Sequence, residues 1–211
     1  EVIAHVLMKE VIARADAVID CHGGEFDEYM ALYLITSLIG DPEVDKRTID
    51  MAIALGVPFI EVGDMNNPAY PWLGRGTADG EALLLGHPGM AIEAGERGRR
   101  DQSSVAAVFN ALRNGLKHMG MIPGEPVPWA GKPVILERGI AIKSTHAGLF
   151  EPLVMVGDWV EKGALFARVC DFDGTLLEEI RVPEEGTVLT VIAARAIKAD
   201  GFAGKMGVVR R

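Results

Sequence analysis

Apolar positions along the first 120 residues follow two different periods. Residues 1–14 repeat at helical spacing, whereas the short apolar runs at 17–21 and 57–62 predict buried strands. The run at 29–37 fits a strand and a helix equally well. Strands that alternate with helices predict an α/β fold, with a mainly parallel or mixed sheet and helices on both faces.

Capping residues mark the predicted helix ends. Asp41-Pro42 places an acid at an N-cap and a proline in the first turn, and Gly56 ends that helix. Thr77 caps a short helix that runs through Leu85. The predicted inner face of the first of these helices consists of Ile49, Ala52 and Ile53.

A strand ending at Glu93 and a long helix complete this region. Asp101 caps the helix and Gly120 lies just beyond it. The apolar positions predicted to face inward are Val105, Val108, Leu112, Leu116 and Met119.

The composition changes at residues 123–128, where three prolines form a stiff connector. Short strand-like runs separated by glycines follow, with a spacing of fifteen residues both from Gly148 to Gly163 and from Gly186 to Gly201. We therefore predict an α/β domain over residues 1–122 and a small all-β domain over 123–211, built from two similar motifs.

Composition narrows the function classes. The chain has 211 residues, is 49 % hydrophobic and carries a net charge of −9, which argues against a nucleic-acid partner. Its two cysteines are far apart in the sequence, so we expect no disulfide. The absence of a disulfide framework favours a location in a reducing cytoplasm. No apolar run reaches the roughly 20 residues of a membrane span. The chain starts at Glu1, within a helical pattern, so we expect part of a longer protein.

The most informative motif is Asp20-Cys21-His22-Gly23, at the end of the first predicted strand. Ligands in open α/β sheets collect beyond strand ends, and Gly23 and Gly24 allow close approach. Glu93 ends a second strand about seventy residues later. A histidine and a carboxylate so placed suit a zinc ligand and a general base, and therefore a metallohydrolase.

Less specific interpretations stay open at this point. A single histidine at a strand end is often structural, and Glu93 alone fits an ion pair with a neighbouring arginine. Arg97 and Arg99 fit a solvated loop, although guanidinium groups also bind a substrate carboxylate in bidentate geometry. The loop at residues 64–75, with Tyr70 and Trp72, fits a wall of the pocket.

The tail suggests a rival function. Residues 157–163 and 182–188 look like the two halves of a biotinyl/lipoyl-type barrel. Such carriers present a modifiable lysine on the hairpin between the halves, but residues 170–175 read CDFDGT. We therefore expect the shape of the barrel without the carrier chemistry.

Taken in order, residues 15–24, 87–95 and 119–122, together with the β tail, resemble the succinylglutamate desuccinylase/aspartoacylase family of zinc hydrolases, relatives of the zinc carboxypeptidases. The resemblance implies that His22 is the last zinc ligand and Glu93 the general base and acid. It also implies that an arginine, such as Arg97 or Arg99, holds a substrate carboxylate. The implied reaction is hydrolysis of an amide in an N-acylated amino acid or similar small molecule.

One departure from the family is serious. The family's first two zinc ligands lie in a His-x-x-Glu motif upstream of His22, and none occurs here, since His5 is followed by Val-Leu-Met. The asparagine–arginine substrate motif is also missing. Either the ligands lie upstream of Glu1, or the chain is a non-catalytic binding or scaffold relative. We expect these 211 residues alone to be inactive. The sequence leaves the oligomeric state open, and a homo-oligomer is one of the possibilities.

Overall fold

A computed structural model describes residues 2–68 and 74–209. The elements, in chain order, are α1 (Val2–Glu10), a 3₁₀ turn (Ile12–Arg14), β1 (Val18–His22), β2 (Glu28–Leu38), α2 (Pro42–Ala54), β3 (Phe59–Asp64), α3 (Ala78–Leu84), β4 (Gly89–Glu96), α4 (Gln102–His118), β5 (Val134–Lys143), β6 (Gly148–Pro152), β7 (Trp159–Val160), β8 (Leu165–Cys170), β9 (Leu176–Arg181), β10 (Gly186–Ile192), β11 (Ala196–Ile197) and β12 (Phe202–Val209). No helix in the described part of the chain is long and apolar enough to cross a membrane.

The chain forms two compact units, and neither is a continuous stretch of sequence. The first unit comprises Glu1–His22, Leu32–Glu93 and Gln102–Ile135, and the second comprises Gly23–Ala31, Ala94–Asp101 and Leu136–Arg211. Strands β2, β4 and β5 contribute residues to both units. The division into domains 1–122 and 123–211 stays a prediction.

The sheet of the first unit is mixed. Strands β1 and β4 pair in parallel, as do β2 and β3. The start of β2 lies beside the end of β4, since Arg97 N donates to Glu28 O at 2.7 Å. The far end of β2 lies beside the start of β4, where Thr36 Oγ1 donates to Gly89 O at 2.6 Å. The two parallel pairs therefore run in opposite directions, and of the two predicted arrangements the mixed one is present.

Helices α2 and α4 cover one face of this sheet. Their core contains Leu34, Ile60, Met90 and Ile92 from the strands, with Met51, Leu55 and Ala111 from the helices. The predicted cap of α2 is confirmed, because Asp41 Oδ1 accepts from the backbone N–H groups of Glu43 and Val44 at 3.0 and 3.2 Å. The predicted inner face is only partly right, since Ile53 is 43 % exposed.

The predicted inner face of α4 is largely wrong. Val105, Leu116 and Met119 are exposed, and the buried residues are Ala111, Asn114 and Gly115. A Cβ on Gly115 would lie 3.1 Å from Ile19 Cδ1. Small side chains let the helix axis approach the sheet closely, so α4 buries its small-residue side rather than its larger apolar one.

The second unit is built from antiparallel strands. Strands β5, β12, β10 and β7 are neighbours in that order, and β10 also pairs with the first residues of β2. A four-stranded sheet has the order β11-β6-β8-β9. The core of the unit includes Phe150, Phe166, Val188 and Met206.

The hairpin between β8 and β9 occupies the place at which a carrier domain would present its lysine. Asp171 N donates to Thr175 O at 2.8 Å, which closes the turn. Phe172 lies at its tip and is 88 % exposed. A phenyl ring cannot form the amide bond by which biotin or lipoate is attached, so this hairpin is not a carrier site.

Glu178 holds the turn that follows β5. Its carboxylate accepts from Ser144 Oγ at 2.8 Å and from the backbone N–H groups of Thr145 and His146 at 2.9 and 3.1 Å. Burial raises the pKa of Glu178, but the hydrogen bonds to its charged form outweigh burial, and the net pKa lies below 4.5. The ionised carboxylate therefore stabilises the folded state.

We predict that Glu178→Gln lowers the free energy of unfolding by about 1.5–3 kcal/mol at pH 7, the range for hydrogen bonds to charged groups. The pKa of Glu178 is lowered in the folded state, so its contribution is present above pH 4.5 and is lost as the pH falls through the folded-state value. Urea denaturation at pH 7 and at pH 3.5 should show a smaller difference from the parent protein at the lower pH. Glu179→Gln, which removes an exposed ion pair with Arg181, is the control and should cost under about 1 kcal/mol. An equal loss in both variants would contradict the prediction.

Candidate active site

His22 and Glu93 lie side by side on neighbouring strands. In the parallel pairing of β1 with β4, His22 stands opposite Glu93. Residues in register on adjacent parallel strands point to the same face of the sheet. Ile92 is buried in the core beneath α2 and α4, so Glu93 points to the opposite face together with His22. The His22 side chain is 51 % exposed, and Glu93 is half-buried.

Asp20 is a third member of this group, and its role is not apparent from the motif alone. It lies two residues before His22 on β1 and therefore on the same face. Its Oδ2 is 3.3 Å from His22 Nε2. A carboxylate on one ring nitrogen orients an imidazole and leaves Nδ1 for another partner, an arrangement common among metal-binding histidines. The alternation of a strand, applied to Asp20-Cys21-His22, is the signal that could have identified Asp20.

The described residues do not complete a zinc site. Catalytic zinc takes three protein ligands, usually His, Cys, Asp or Glu. Within residues 2–68 and 74–209, no group of three or more such side chains could hold a metal ion. His22, with Asp20 and Glu93 beside it, is suited to serve as one ligand of a larger set, but this chain's described donors do not fit a whole catalytic zinc site.

Cys21, between Asp20 and His22, is exposed rather than packed. Burial of its sulfur, with a further contribution from the Asp20 charge, raises the pKa of the Cys21 thiol. The thiolate is the nucleophilic form of cysteine. The raised pKa disfavours the nucleophilic thiolate form of Cys21.

Arg97 and Arg99 lie in the second unit and differ in how they are held. Arg99 Nη1 is 3.0 Å from Glu96 Oε1, so its charge is already paired. Arg97 lies with its guanidinium 6.0 Å from the centre of the Tyr29 ring, within cation–π range. Its φ of 53° is rare for a residue with a side chain and signals local strain. Of the two, Arg97 has the guanidinium that is freer to meet a ligand.

The two glycines after His22 have different surroundings. A Cβ on Gly24 would lie 3.1 Å from Gly95 O and 3.3 Å from Glu28 O, whereas one on Gly23 would meet only Ala94 O, at 3.5 Å. Gly24 therefore permits a close approach of three backbone segments. At Gly23 the space around the α-carbon is ordinary.

The loop at residues 64–75 begins at the end of the sheet opposite to His22, so its described part does not form a pocket around that residue. Asp64 pairs with Leu38 at the end of β3, beside the start of β4 and therefore opposite to Glu93. Gly74 returns to the same region, since a Cβ there would lie 3.4 Å from Met65 Cε. The prediction is wrong for the described part of this loop, and Tyr70 and Trp72 lie outside the described residues.

The fold is that of the succinylglutamate desuccinylase/aspartoacylase proteins, which confirms the resemblance seen in the sequence. A succinylglutamate desuccinylase/aspartoacylase from Rhodobacter sphaeroides matches 99 % of this chain with a TM-score of 0.85 and 22 % identity, and 63 % of its own length is covered. The ectoine utilization protein EutE (DoeB) from Ruegeria pomeroyi matches 98 % of this chain with a TM-score of 0.83 and 24 % identity, and 64 % of its own length is covered.

A curated relative is also similar in sequence. The N-alpha-acetyl-L-2,4-diaminobutyric acid deacetylase of Halomonas elongata is 27 % identical over an alignment of 209 positions that covers 95 % of this chain. The chain spans 57 % of the length of that relative. No model of a protein family matches the chain.

We predict that Gly24→Ala destabilises the protein by about 1–3 kcal/mol, because the added methyl group must displace backbone atoms in a packed region. Gly23→Ala is the matched control, one residue away, and should change stability by no more than about 0.5 kcal/mol. Thermal and urea unfolding of the two variants measure the difference. Equal stability of both variants would show that the close approach at Gly24 is not maintained in solution.

Proposed function

We propose that the chain is the larger part of a zinc-dependent deacylase, which hydrolyses the amide bond of an N-acylated amino acid or a similar small molecule. The observation that carries the proposal is the register of β1 with β4, in which Glu93 stands opposite His22 on the same face of the sheet. Support comes from the similarity of 95 % of the chain to a protein named as a deacetylase of an acetylated diamino acid.

Glu93 is the residue to which we assign proton transfer. Hydrolysis of an amide needs a base that takes a proton from the attacking water and an acid that gives one to the leaving amine. A carboxylate performs both steps in turn, because it becomes the acid once it has accepted the first proton. Glu93 is half-buried and points to the same face of the sheet as His22.

His22 is the residue to which we assign metal binding, with Asp20 orienting its ring through the contact at Nε2. Zinc, when bound, supplies a polarised water of lowered pKa. One imidazole is not sufficient to hold the ion, so the remaining ligands in this proposal come from outside the described residues.

A carboxylate-bearing substrate needs a cationic partner. Arg97 is the better candidate of the two predicted arginines, because the charge of Arg99 is already balanced by Glu96 at 3.0 Å. The backbone of Arg97 is also held in a strained conformation, as residues at binding sites often are.

A second function is a non-catalytic binding relative that kept the fold and lost the metal. The observation in its favour is that no group of three metal-ligating side chains occurs in residues 2–68 and 74–209. The zinc content of the full-length protein separates the two proposals. About one bound zinc ion per chain supports the deacylase. The absence of bound zinc at a micromolar concentration of free zinc supports the binding relative.

We predict that Glu93→Gln in the full-length protein lowers kcat for N-acetyl amino acid hydrolysis by about 10²–10⁴-fold, the usual contribution of general acid–base catalysis. Zinc content should stay unchanged, because Glu93 is not assigned as a ligand. Glu96→Gln, on the same strand and exposed at its pair with Arg99, is the matched control and should retain activity. Full activity of Glu93→Gln would overturn the assignment.

We predict that Asp20→Asn weakens zinc affinity by about 10–100-fold, the effect of losing a carboxylate partner of a metal-binding histidine. His22→Ala should abolish stoichiometric zinc binding. Competition with a fluorescent chelator measures both affinities in the full-length protein, with the exposed Asp16→Asn as control. Unchanged zinc affinity in Asp20→Asn would show that Asp20 does not support the metal site. The role of His22 is tested separately by His22→Ala.

A further inference from the structure

A cavity in the first unit lies on the face of the sheet opposite to His22 and Glu93. Its volume is about 360 Å³, within the range of small-molecule sites. Its floor includes Leu32, which packs against the same core as Ile92. Since Ile92 and Glu93 point to opposite faces of β4, the cavity belongs to the side covered by α2 and α4.

The wall of the cavity is held in place by Asn114. This buried amide donates to Val127 O at 2.8 Å and accepts from Val127 N at 2.9 Å, and it also donates to Leu55 O at 3.2 Å. Gly56, with φ of 75°, leaves room for Val127 O, which would lie 2.6 Å from a Cβ there. Val127 is thereby fixed against α4, so this wall of the cavity is held by specific hydrogen bonds.

The charges that line the cavity are all positive. Arg113 and Lys117 lie one turn apart on α4, and no acidic side chain is among the lining residues. Lys117 Nζ donates to Glu125 O at 2.9 Å, whereas Arg113 forms no ion pair or hydrogen bond within residues 2–68 and 74–209. In a chain of net charge −9, this local excess of positive charge selects for an anion.

The remaining lining is apolar and includes one aromatic ring. Trp129 is 43 % exposed and lines the cavity together with Leu32 and Leu55. Tryptophan offers a flat surface on which a second ring stacks, and a guanidinium forms bidentate hydrogen bonds with a carboxylate. The two features select for a ligand that has a flat apolar body and a single carboxylate.

We propose that this cavity is a binding site for a small aromatic monocarboxylate, with the carboxylate on Arg113 and the ring between Trp129 and the leucine floor. The site does not use His22 or Glu93, so it is independent of the proposed deacylase function. Phenylacetate is a probe of the right chemistry and size. Its neutral analogue, phenylacetamide, has the same ring and nearly the same shape without the charge.

Isothermal titration calorimetry on the full-length protein tests the proposal. Phenylacetate should bind with one site per chain, and phenylacetamide at least about tenfold more weakly, since it lacks the charge-assisted hydrogen bonds. Arg113→Gln should weaken phenylacetate binding about tenfold or more, while Arg195→Gln, the same change at an exposed arginine outside the cavity, should leave it unchanged. Hydrogen exchange should show protection of residues 107–117 on addition of phenylacetate.

Each contrary result has a defined meaning. The absence of detectable phenylacetate binding at about 10 mM ligand would overturn the site. Equal binding of phenylacetamide, or equal binding to Arg113→Gln with its melting temperature unchanged, would overturn the role of charge. Binding of inorganic phosphate as tight as that of phenylacetate would replace the proposed ligand class by simple anions. Protection confined to segments that do not line the cavity, away from residues 107–117 and 127–129, would place the site elsewhere.

Discussion

The burial of Met90 and Ile92 is the constraint on which the candidate site depends. Both side chains are fully buried beneath α2 and α4, which fixes the face that each residue of β4 presents. A shift of one residue in the pairing register of β4 would exchange its two faces, expose Ile92 and bury Glu93 in the core. The hydrophobic effect on one side of the sheet thus determines the position of the charged group on the other. The position of Glu93 opposite His22 is a consequence of this packing.

Much of the first unit could be predicted from local signals. Asp41 and Thr77 cap the helices as their chemistry predicts, because a side-chain oxygen before an apolar-periodic segment satisfies free backbone N–H groups. The inner face of α4 could not be predicted in this way. Its apolar stripe and its small-residue stripe both follow helical periods, and the choice between them depends on how closely the sheet approaches. A Cβ on Gly115 would lie 3.1 Å from Ile19 Cδ1. The close approach of the sheet to α4 therefore determines which side of the helix is buried.

Strand direction was equally inaccessible to local reasoning. An apolar run predicts a strand but not the direction in which it joins a sheet, and the opposite sense of β2 relative to β4 rests on contacts far apart in sequence, such as that of Thr36 with Gly89. The same holds for the candidate site. His22 and Glu93 were predicted from motifs that resemble a known family, whereas Asp20 required the strand alternation to be applied within the motif. The pocket lined by Arg113 and Trp129 left no pattern in the sequence, since it arises where the end of the connector at residues 123–128, followed by Trp129, returns to α4.

The shared strands have a consequence for how this architecture can be made and altered. The chain passes between the two units five times, because each unit is assembled from three separate segments. No single cut releases either unit as a continuous polypeptide, so neither can be exchanged between proteins as a cassette or expressed by simple truncation. When the ribosome has released the chain only as far as residue 100, neither unit is complete, because α4 and the later strands are still to come. Glu1–His22 must wait for Gln102–Ile135, and Gly23–Ala31 must wait for Leu136–Arg211, so each unit is expected to fold only after its own last segment has been made.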